Sequence, residues 1–308
     1  MKTFIDSIDT NFLKENSLVL DIESTGVDRI NNYIQVVGLL GCESEKNFIQ
    51  LWAQDIEDEK NLLIKLWDLL DGKNIISYNG ISFDLPFILA RMDYHGIRRP
   101  EITNHFDIFR YLHENKYYID LDSFSLQAVE SYTGIKRYEN FELNKDLNFY
   151  REFEEDPMAY ILLHNKYDVI NTEKILAFHE KIESSKTFNH SIDGKKINFY
   201  IDNVGINKNL LKIKLRTDSI NSHIRYENMN YLLMWQESAL YLYAKVIEGY
   251  VKKDKLAYVH IQNQEPFIED LSPFDLPENI LVIYHSQTIE LNNLKSLIIV
   301  ILDSFFNQ

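Results

Sequence analysis

Several features that would direct a protein to a membrane or an oxidising compartment are missing from this sequence. Cys42 is the single cysteine among 308 residues, which excludes an intramolecular disulfide and a zinc ribbon. No apolar run approaches the roughly 20 residues of a membrane span. The N-terminal segment MKTFIDSIDTNFLKEN contains acids and no apolar core, so it does not resemble a signal peptide. These absences predict a cytoplasmic protein without a membrane partner.

Positive charge is also scarce. The 32 Lys and Arg residues face 47 Asp and Glu residues, and the net charge of −15 is unlike that of proteins that coat nucleic acid. The imbalance is uneven, because residues 1–185 carry 19 basic and 33 acidic residues (−14), whereas residues 186–308 carry 13 and 14 (−1). A soluble acidic surface explains most of these acids, and a few of them are candidates for holding divalent cations.

The chain has 45% hydrophobic and 13% aromatic residues, enough for a packed core. Its first part alternates strand and helix patterns, which predicts an α/β fold with a mixed sheet flanked by helices. The predicted strands cover 17–23, 33–41, 46–53, 74–80 and 105–112, with 33–41 and 46–53 as a hairpin, and the predicted helices cover 58–72, a segment starting at Asp84, 122–134 and 157–180.

A polar segment at 181–196 follows the last of these helices and contains several residues that break regular structure. We therefore predict two domains, 1–185 and 186–308. In the second part the pattern changes to alternation, with Ile197, Phe199 and Ile201 on one side, and ends in a helical run at 291–306. This pattern predicts a small α+β C-terminal domain.

Two carboxylates interrupt the apolar strand LVLDIESTG. Because side chains alternate along a strand, Asp21 and Glu23 point to the same face. Adjacent buried carboxylates repel each other and stay ionised when cations lie between them. Oxygen ligands at this spacing suit Mg²⁺ or Mn²⁺, although a lone D-x-E on an edge strand is more often harmless.

Two further segments strengthen the metal hypothesis. In SYNGISFDLPF, Gly80 allows a sharp turn and places Asp84 where a strand ends and a helix begins. In LLHNKYDVINT, His164 and Asp168 are four residues apart and share a helix face. Taken singly, Asp84 is more simply a capping residue, Asp168 a surface acid and His164 an ordinary helix histidine.

Together the four acids Asp21, Glu23, Asp84 and Asp168 form the ligand set that two-metal phosphodiester hydrolysis requires, with two cations about 4 Å apart. A nearby histidine such as His164 can orient or deprotonate the attacking water.

These motifs resemble the DEDD superfamily of 3′–5′ exonucleases with the ribonuclease H-like fold, and within it the YprB-like ribonuclease H-like proteins of bacteria. The matching motifs are LDIEST, YNGISFD and the terminal Asp168, over about residues 15–180. The resemblance implies two Mg²⁺ or Mn²⁺ ions held by Asp21, Glu23, Asp84 and Asp168, a catalytic role for these residues and His164, and a single-stranded DNA or RNA end as substrate. The third motif departs from the family's Y-x3-D or H-x4-D, because this chain has H-x3-D.

Substrate contacts are predicted from the first two motifs, at Ser24, Thr25, Asn79 and Phe83. Asp107 is a candidate to support the site or, equally, a buried acid that bonds a neighbouring group. A stripe of cations could follow a phosphate backbone, although the solvated face of a strand is the more frequent explanation; the stripe consists of Lys208, Lys212, Lys214, Arg216 and Arg225. Tyr226, Tyr231 and Trp235 could stack on bases, but core packing is favoured.

We therefore predict a metal-dependent 3′–5′ exonuclease acting on single-stranded DNA or RNA ends. Two alternatives stay open, a catalytically weakened ribonuclease H-like module that binds nucleic acid or protein, and a structural protein of nuclease ancestry. The four acids are intact, which favours the enzyme.

Overall fold

The structure of the chain is a computed structural model that describes residues 1–41, 47–137, 157–253, 255–263 and 265–306. The chain divides into two compact units, one formed by Met1–Asn115 with Leu121–His179 and the other by Lys116–Asp120 with Glu180–Gln308. Cys42 and the turn predicted between 41 and 46 lie outside the described residues.

A six-stranded mixed sheet forms the centre of the first unit. Its strands are β1 (Lys2–Asp6), β2 (Ser17–Ser24), β3 (Ile34–Gly41), β4 (Phe48–Trp52), β5 (Asn74–Ser77) and β6 (Asn104–Asp107). The spatial order is β1-β4-β3-β2-β5-β6. The pairs β1–β4, β4–β3 and β3–β2 are antiparallel, and β2–β5 and β5–β6 are parallel. The predicted mixed sheet is therefore confirmed.

Five helices accompany this sheet, and capping residues in the sequence fix several of their ends. The helices are α1 (Ile56–Leu70), α2 (Asp84–Tyr94), α3 (Ile108–Glu114), α4 (Leu126–Thr133) and α5 (Pro157–Ser185). The Asp55 side chain accepts hydrogen bonds from the second and third residues of α1, and Ser125 caps α4 in the same way. Gly134 ends α4 with a positive φ of 74°, a conformation that glycine adopts at little cost.

The two faces of the sheet pack against different helices. Leu20 and Ile22 of β2 belong to a core shared with α1 and α2. Val36 of β3 and Trp52 of β4 pack on the opposite face against Leu162 and other residues of α5. Because β2 alternates, its acidic residues 21 and 23 lie on the face opposite Leu20 and Ile22, which is the α5 face.

Two local predictions were wrong or incomplete. The strand expected at 105–112 ends at Asp107, whose side chain accepts from the Arg110 amide and starts α3. The N-terminal strand β1 was not predicted. The polar segment 181–196, predicted as the boundary between domains 1–185 and 186–308, contains the end of α5, a strand at 187–192 and a turn at Asp193 and Gly194. Polar residues are tolerated in that strand because alternate side chains face solvent. The division into units falls close by, between His179 and Glu180, and the second unit also includes Lys116–Asp120.

The second unit contains two antiparallel sheets and a C-terminal helix. Its strands are β7 (Thr187–Ile192), β8 (Lys195–Asn207), β9 (Leu210–Glu227), β10 (Tyr231–Lys245), β11 (Ile247–Lys252), β12 (Lys255–Ile261), β13 (Ile280–His285) and β14 (Thr288–Ile289), and its helix is α6 (Leu291–Phe306). The strand orders are β10-β9-β8-β7 and β11-β12-β13-β14. Ile197, Phe199 and Ile201 are buried in one core with α6, which agrees with the alternation in the sequence and the α+β prediction.

Within the described ranges, no helix combines the length and the apolar character needed to cross a lipid bilayer.

Candidate active site

Five predicted residues converge at one end of the first unit's sheet. Asp21 and Glu23 lie on β2, Asp84 is the first residue of α2, and His164 and Asp168 lie on α5. One ligand atom from each of Glu23, His164 and Asp168 lies within 4.8 Å of the others. The charges of Asp84, Asp168 and Glu23 all act on Asp21. The fold therefore gathers carboxylates that are 63 and 84 residues apart in sequence (21 to 84, and 84 to 168).

A glycine lets α5 approach the acidic strand. Gly38 of β3 pairs with Asp21 across the antiparallel ladder. A Cβ atom at Gly38 would lie 2.4 Å from Asn165 Oδ1 and 2.8 Å from Val169 Cγ2, closer than a side chain can tolerate. The missing side chain at position 38 therefore admits Asn165 to the space beside Asp21.

Asn165 connects the acidic strand to a buried glutamine. Its Nδ2 donates to Asp21 Oδ2 at 2.8 Å and to the Asp21 carbonyl at 3.1 Å. Its Oδ1 accepts from Gln50 Nε2 at 2.7 Å, and Gln50 also donates to the Leu162 carbonyl. Because Asn165 and Gln50 are both fully buried, this chain of hydrogen bonds fixes the orientation of the Asp21 carboxylate.

A tight turn after β5 positions Asp84. A Cβ at Gly80 would lie 2.4 Å from Ser77 Oγ, so only glycine fits the turn, and Asp107 accepts from the amides of Asn79 and Ile81. The Asp84 side chain does not act as the N-cap of α2; that position is held by Phe83. Instead, Asp84 Oδ1 accepts from the Ile22 amide of β2 at 3.0 Å.

Burial and mutual repulsion make these carboxylates hard to ionise. Burial, followed by the charges of Asp84, Asp168 and Glu23, raises the pKa of Asp21 well above its ordinary value. Burial raises the pKa of Glu23 to about 7 and the pKa of Asp84 to about 7. Burial also raises the pKa of Asp168, although Arg137 and His164 oppose the shift. A divalent cation would relieve this repulsion, so the donor set fits such an ion.

One arginine enters the acidic cluster. Arg137 Nη1 lies 2.5 Å from Asp168 Oδ1 and 3.3 Å from His164 Nδ1. On its other side, Nε and Nη2 donate to the carboxylate of Glu130 at 3.1 and 2.7 Å. Glu130 is buried and also accepts from Asn171 Nδ2. Arg137 therefore bridges a buried glutamate and the carboxylate of Asp168.

The ring of His164 lies near both this arginine and Asp168. A guanidinium can only donate, so in the neutral ring the contact with Arg137 makes Nδ1 the acceptor and places the ring proton on Nε2. Nε2 lies 3.6 Å from Asp168 Oδ2. Tyr167 is buried against Val36 and Trp52.

The four residues predicted to contact substrate lie beside the acids, and their contacts in the structure are local. Ser24 Oγ donates to the Gly26 carbonyl, and Thr25 Oγ1 accepts from the Tyr33 amide. Asn79 adopts a positive φ of 66° in the turn before α2. Phe83 packs on Phe87 with ring centroids 5.5 Å apart. Their contact with substrate stays a prediction.

Sequence reasoning missed Asn165, Arg137 and Glu130. Asn165 could have been found, since Asn165, Asp168 and Thr172 follow helical spacing along α5. Arg137 follows the end of α4 with no periodic signal, and its position depends on tertiary structure.

The cation stripe of the second unit is largely neutralised by neighbouring acids. Lys214 and Arg216 both pair with Asp202, at 2.7 and 3.0 Å, and Arg225 pairs with Glu227. Lys208 and Lys212 are exposed. The pairing reduces the positive potential that the stripe can offer a phosphate backbone.

The three aromatic residues near the stripe differ in their surroundings. Trp235 is fully buried in the core. Tyr226 is 41% exposed and stacks on Phe305. Tyr231 donates or accepts a hydrogen bond with His260 Nε2 at 3.2 Å. Core packing therefore accounts for Trp235.

Comparison with known proteins gives one family match. A model described as the RNase H superfamily matches residues 18–178, just over half of the chain. The search of curated proteins gave no match.

Solved structures that match the chain include two kinds of enzyme. The family B DNA polymerase of Pyrobaculum calidifontis gives a TM-score of 0.39 at 17% identity, covering 53% of this chain and 24% of the polymerase. Escherichia coli exonuclease I in complex with a dT13 oligonucleotide gives 0.34 at 12%, covering 65% of this chain and 54% of that one. Exonuclease I with the inhibitor BCBP gives 0.34 at 12%, covering 67% and 56%. This chain thus spans about a quarter to about half of the structures that it matches.

Proposed function

This chain belongs to the RNase H superfamily, and we propose that it is a metal-dependent 3′–5′ exonuclease that shortens single-stranded DNA or RNA ends. Membership of the family supports a nuclease-type function. The observation that carries the finer proposal is the convergence of four carboxylates from β2, α2 and α5 in one partly buried cluster. Structural acids are normally paired with cations, and among the residues that the structure describes these acids outnumber the arginine beside them.

We propose that Asp21, Glu23, Asp84 and Asp168 hold two Mg²⁺ or Mn²⁺ ions. Hard divalent cations prefer carboxylate oxygens, and burial raises the pKa of all four acids, which supports a site for positive charge among them. When bound, such ions lower the pKa of water and stabilise negative charge on phosphate oxygens. The protein contributes the orientation of these ligands, through Asn165 at Asp21 and the Ile22 amide at Asp84.

The proposed role of His164 is to orient the attacking water. Its Nδ1 is engaged by Arg137, so the proton resides on Nε2, next to Asp168. In this state the ring donates a hydrogen bond from Nε2 and does not accept a proton there. The H-x3-D spacing therefore supports positioning of the water in preference to its deprotonation.

The activity is tested with single-stranded DNA and RNA oligonucleotides that carry a label at the 5′ end. With Mn²⁺ present, the wild-type protein should produce a ladder of products shortened from the 3′ end, whereas a circular strand should stay intact. Asp21→Asn should lower the rate by at least about 10³-fold, because it removes a charged ligand without changing shape. Asp93→Asn, which alters an exposed ion pair with Arg99, is the matched control and should cleave normally.

Two results would contradict the nuclease proposal. If no linear strand is shortened with Mg²⁺ or Mn²⁺, or if Asp21→Asn cleaves as fast as the wild type, the protein does not use this site as a nuclease. Binding of an oligonucleotide without cleavage would support the binding-module alternative, which the pairing of Asp168 with Arg137 favours.

A further inference from the structure

Arg137 is held in the acidic cluster by contacts that leave its guanidinium little freedom. Two of its nitrogens donate to the carboxylate of Glu130, and Glu130 is only 3% exposed. Asn171, itself fully buried, donates to the same carboxylate at 2.9 Å. A guanidinium fixed in this way cannot lose its proton and carries its charge at every accessible pH.

The third nitrogen of this guanidinium reaches the proposed metal ligands. Nη1 contacts Asp168 Oδ1 at 2.5 Å, and it contacts the ring of His164 at 3.3 Å. Asp168 Oδ2 lies 3.6 Å from His164 Nε2. The Asp168 carboxylate is thus paired with a protein cation through Oδ1, and one of its oxygens lies within 4.8 Å of ligand atoms of Glu23 and His164.

We propose that Arg137 is a resident cation that competes with a divalent ion for Asp168, and that it thereby sets the metal affinity of this part of the site. The inference rests on the proposed function, because it takes Asp168 to be a metal ligand. A guanidinium on Oδ1 withdraws negative charge from the carboxylate and repels an ion that approaches Oδ2. Arg137 acts through Asp168 and is a positioning residue.

The proposal accounts for a contact that the buried ion pair does not require. The Glu130–Arg137 pair would be complete without Asp168, since both oxygens of Glu130 already receive donors from Arg137. Through the contact with Asp168 the same guanidinium also faces an acid of the candidate site. Without metal, Arg137 partly compensates the repulsion among the acids.

The test is calorimetric titration of the protein with Mn²⁺ alone, at one pH and without nucleic acid. Glu130→Gln combined with Arg137→Gln removes the buried pair together, keeps the net charge, and avoids leaving Glu130 buried and unpaired. This double variant should bind Mn²⁺ at least about tenfold more tightly than the wild type, a difference of ~1.4 kcal/mol. Glu130→Gln alone should bind more weakly, because Arg137 is then less neutralised and acts more strongly on Asp168.

Two further variants separate charge from shape. Arg137→Lys keeps the charge and should retain wild-type affinity within about threefold, since ~0.7 kcal/mol is the corresponding difference. Arg110→Gln removes a positive charge from an exposed pair with Glu114 and should leave the affinity unchanged. Circular dichroism and urea unfolding establish that each variant is folded before its affinity is compared.

Several results would overturn the inference. If the double variant binds Mn²⁺ as tightly as the wild type or more weakly, Arg137 does not compete with the ion for Asp168, even if the wild-type protein is an active nuclease. Unchanged Mn²⁺ affinity with a raised KM for the oligonucleotide would make Arg137 a phosphate contact instead. If neither the wild type nor the double variant binds Mn²⁺, both this inference and the proposed metal site fail. Tighter Mn²⁺ binding by the double variant, together with no cleavage by the wild type, sustains the inference and overturns the nuclease proposal.

Discussion

Two clusters of buried charge in the same unit differ in how far their negative charges are paired. The first surrounds Glu59 of α1, which is fully buried and receives Nε and Nη2 of Arg91, the ring of His95 and the amide of Ile34. The second is the acidic cluster of Asp21, Glu23, Asp84 and Asp168, next to one arginine that is already bound to Glu130.

The comparison separates a buried charge that its neighbours compensate fully from a cluster that they compensate in part. Around Glu59 every oxygen has a donor and the Arg91 side chain is 1% exposed, so this charge is paired without any ligand. In the acidic cluster burial pushes the pKa values upward, so the described residues around it leave part of its negative charge uncompensated. Raised pKa values of this kind cluster at functional sites.

The largest loss of stability is expected from disrupting the buried cluster around Glu59. Glu59→Gln leaves Arg91 buried without a charged partner, and the free energy of unfolding should fall by about 3–5 kcal/mol. Urea denaturation monitored by circular dichroism measures the change. Asp93→Asn, in an exposed pair with Arg99, should change stability by less than about 1 kcal/mol. Equal effects of the two substitutions would contradict the distinction between buried and exposed pairs.

A smaller loss of stability is expected from disturbing the close contact between β3 and α5. Gly38→Ala forces Asn165 or Val169 to move, and the free energy of unfolding should fall by about 1–3 kcal/mol. Because Asn165 orients Asp21, the rate of cleavage should fall as well. Gly41→Ala in the same strand is the control, since its nearest atoms lie 4.0 Å from the added Cβ. A stable Gly38→Ala protein with normal activity would show that the close approach has no role.

Removing one charge from the acidic cluster should raise the stability of the protein, whereas removing the charge of Glu59 lowers it. Asp84→Asn keeps an acceptor for the Ile22 amide and removes one repelling carboxylate, so the metal-free protein should gain about 1 kcal/mol of stability. The same variant should lose most of the Mn²⁺-induced rise in the melting temperature. Differential scanning calorimetry with and without Mn²⁺ measures both changes. A loss of stability comparable to that of Glu59→Gln would place Asp84 among the structural charges.

The pH dependence of stability tests the raised pKa values directly. In the folded, metal-free protein Glu23 and Asp84 have a pKa of about 7, above the ordinary values of 4.5 and 3.8. The folded state therefore keeps protons that the unfolded state releases from about pH 4, so stability should fall as pH rises from about 4 through 7 and level off above about 8. Urea titrations measure this fall, and Mn²⁺ at pH 8 should reverse it. Stability that rises between pH 5 and 7 would contradict the raised values.

The sequence predicted most elements of the first unit because strong local signals mark them. Apolar runs and the glycine stop at Gly134 act within a few residues. The strand at 105–112 was misjudged because one side-chain cap at Asp107 turns an apolar strand pattern into a helix.

The site was only partly predictable for a related reason. Asp21, Glu23, Asp84, His164 and Asp168 belong to short motifs with fixed spacing, so they could be named from the sequence. The Arg137–Glu130 pair and the Asn165–Gln50 contact join segments that are far apart or have no periodic signal. These contacts arise from packing and needed the structure.

The pairing of β2 with β5 ends just before the acids, and this leaves one backbone amide in direct contact with the site. Strand β5 pairs with β2 only from Ser17 to Val19, so on that side the Ile22 amide bonds the Asp84 carboxylate instead of a strand. A backbone proton of the central sheet is thereby coupled directly to one of the proposed ligands. The nitrogen and proton resonances of Ile22 would shift when that carboxylate changes its charge or its ligand, so a single peak in a spectrum can follow events in the site.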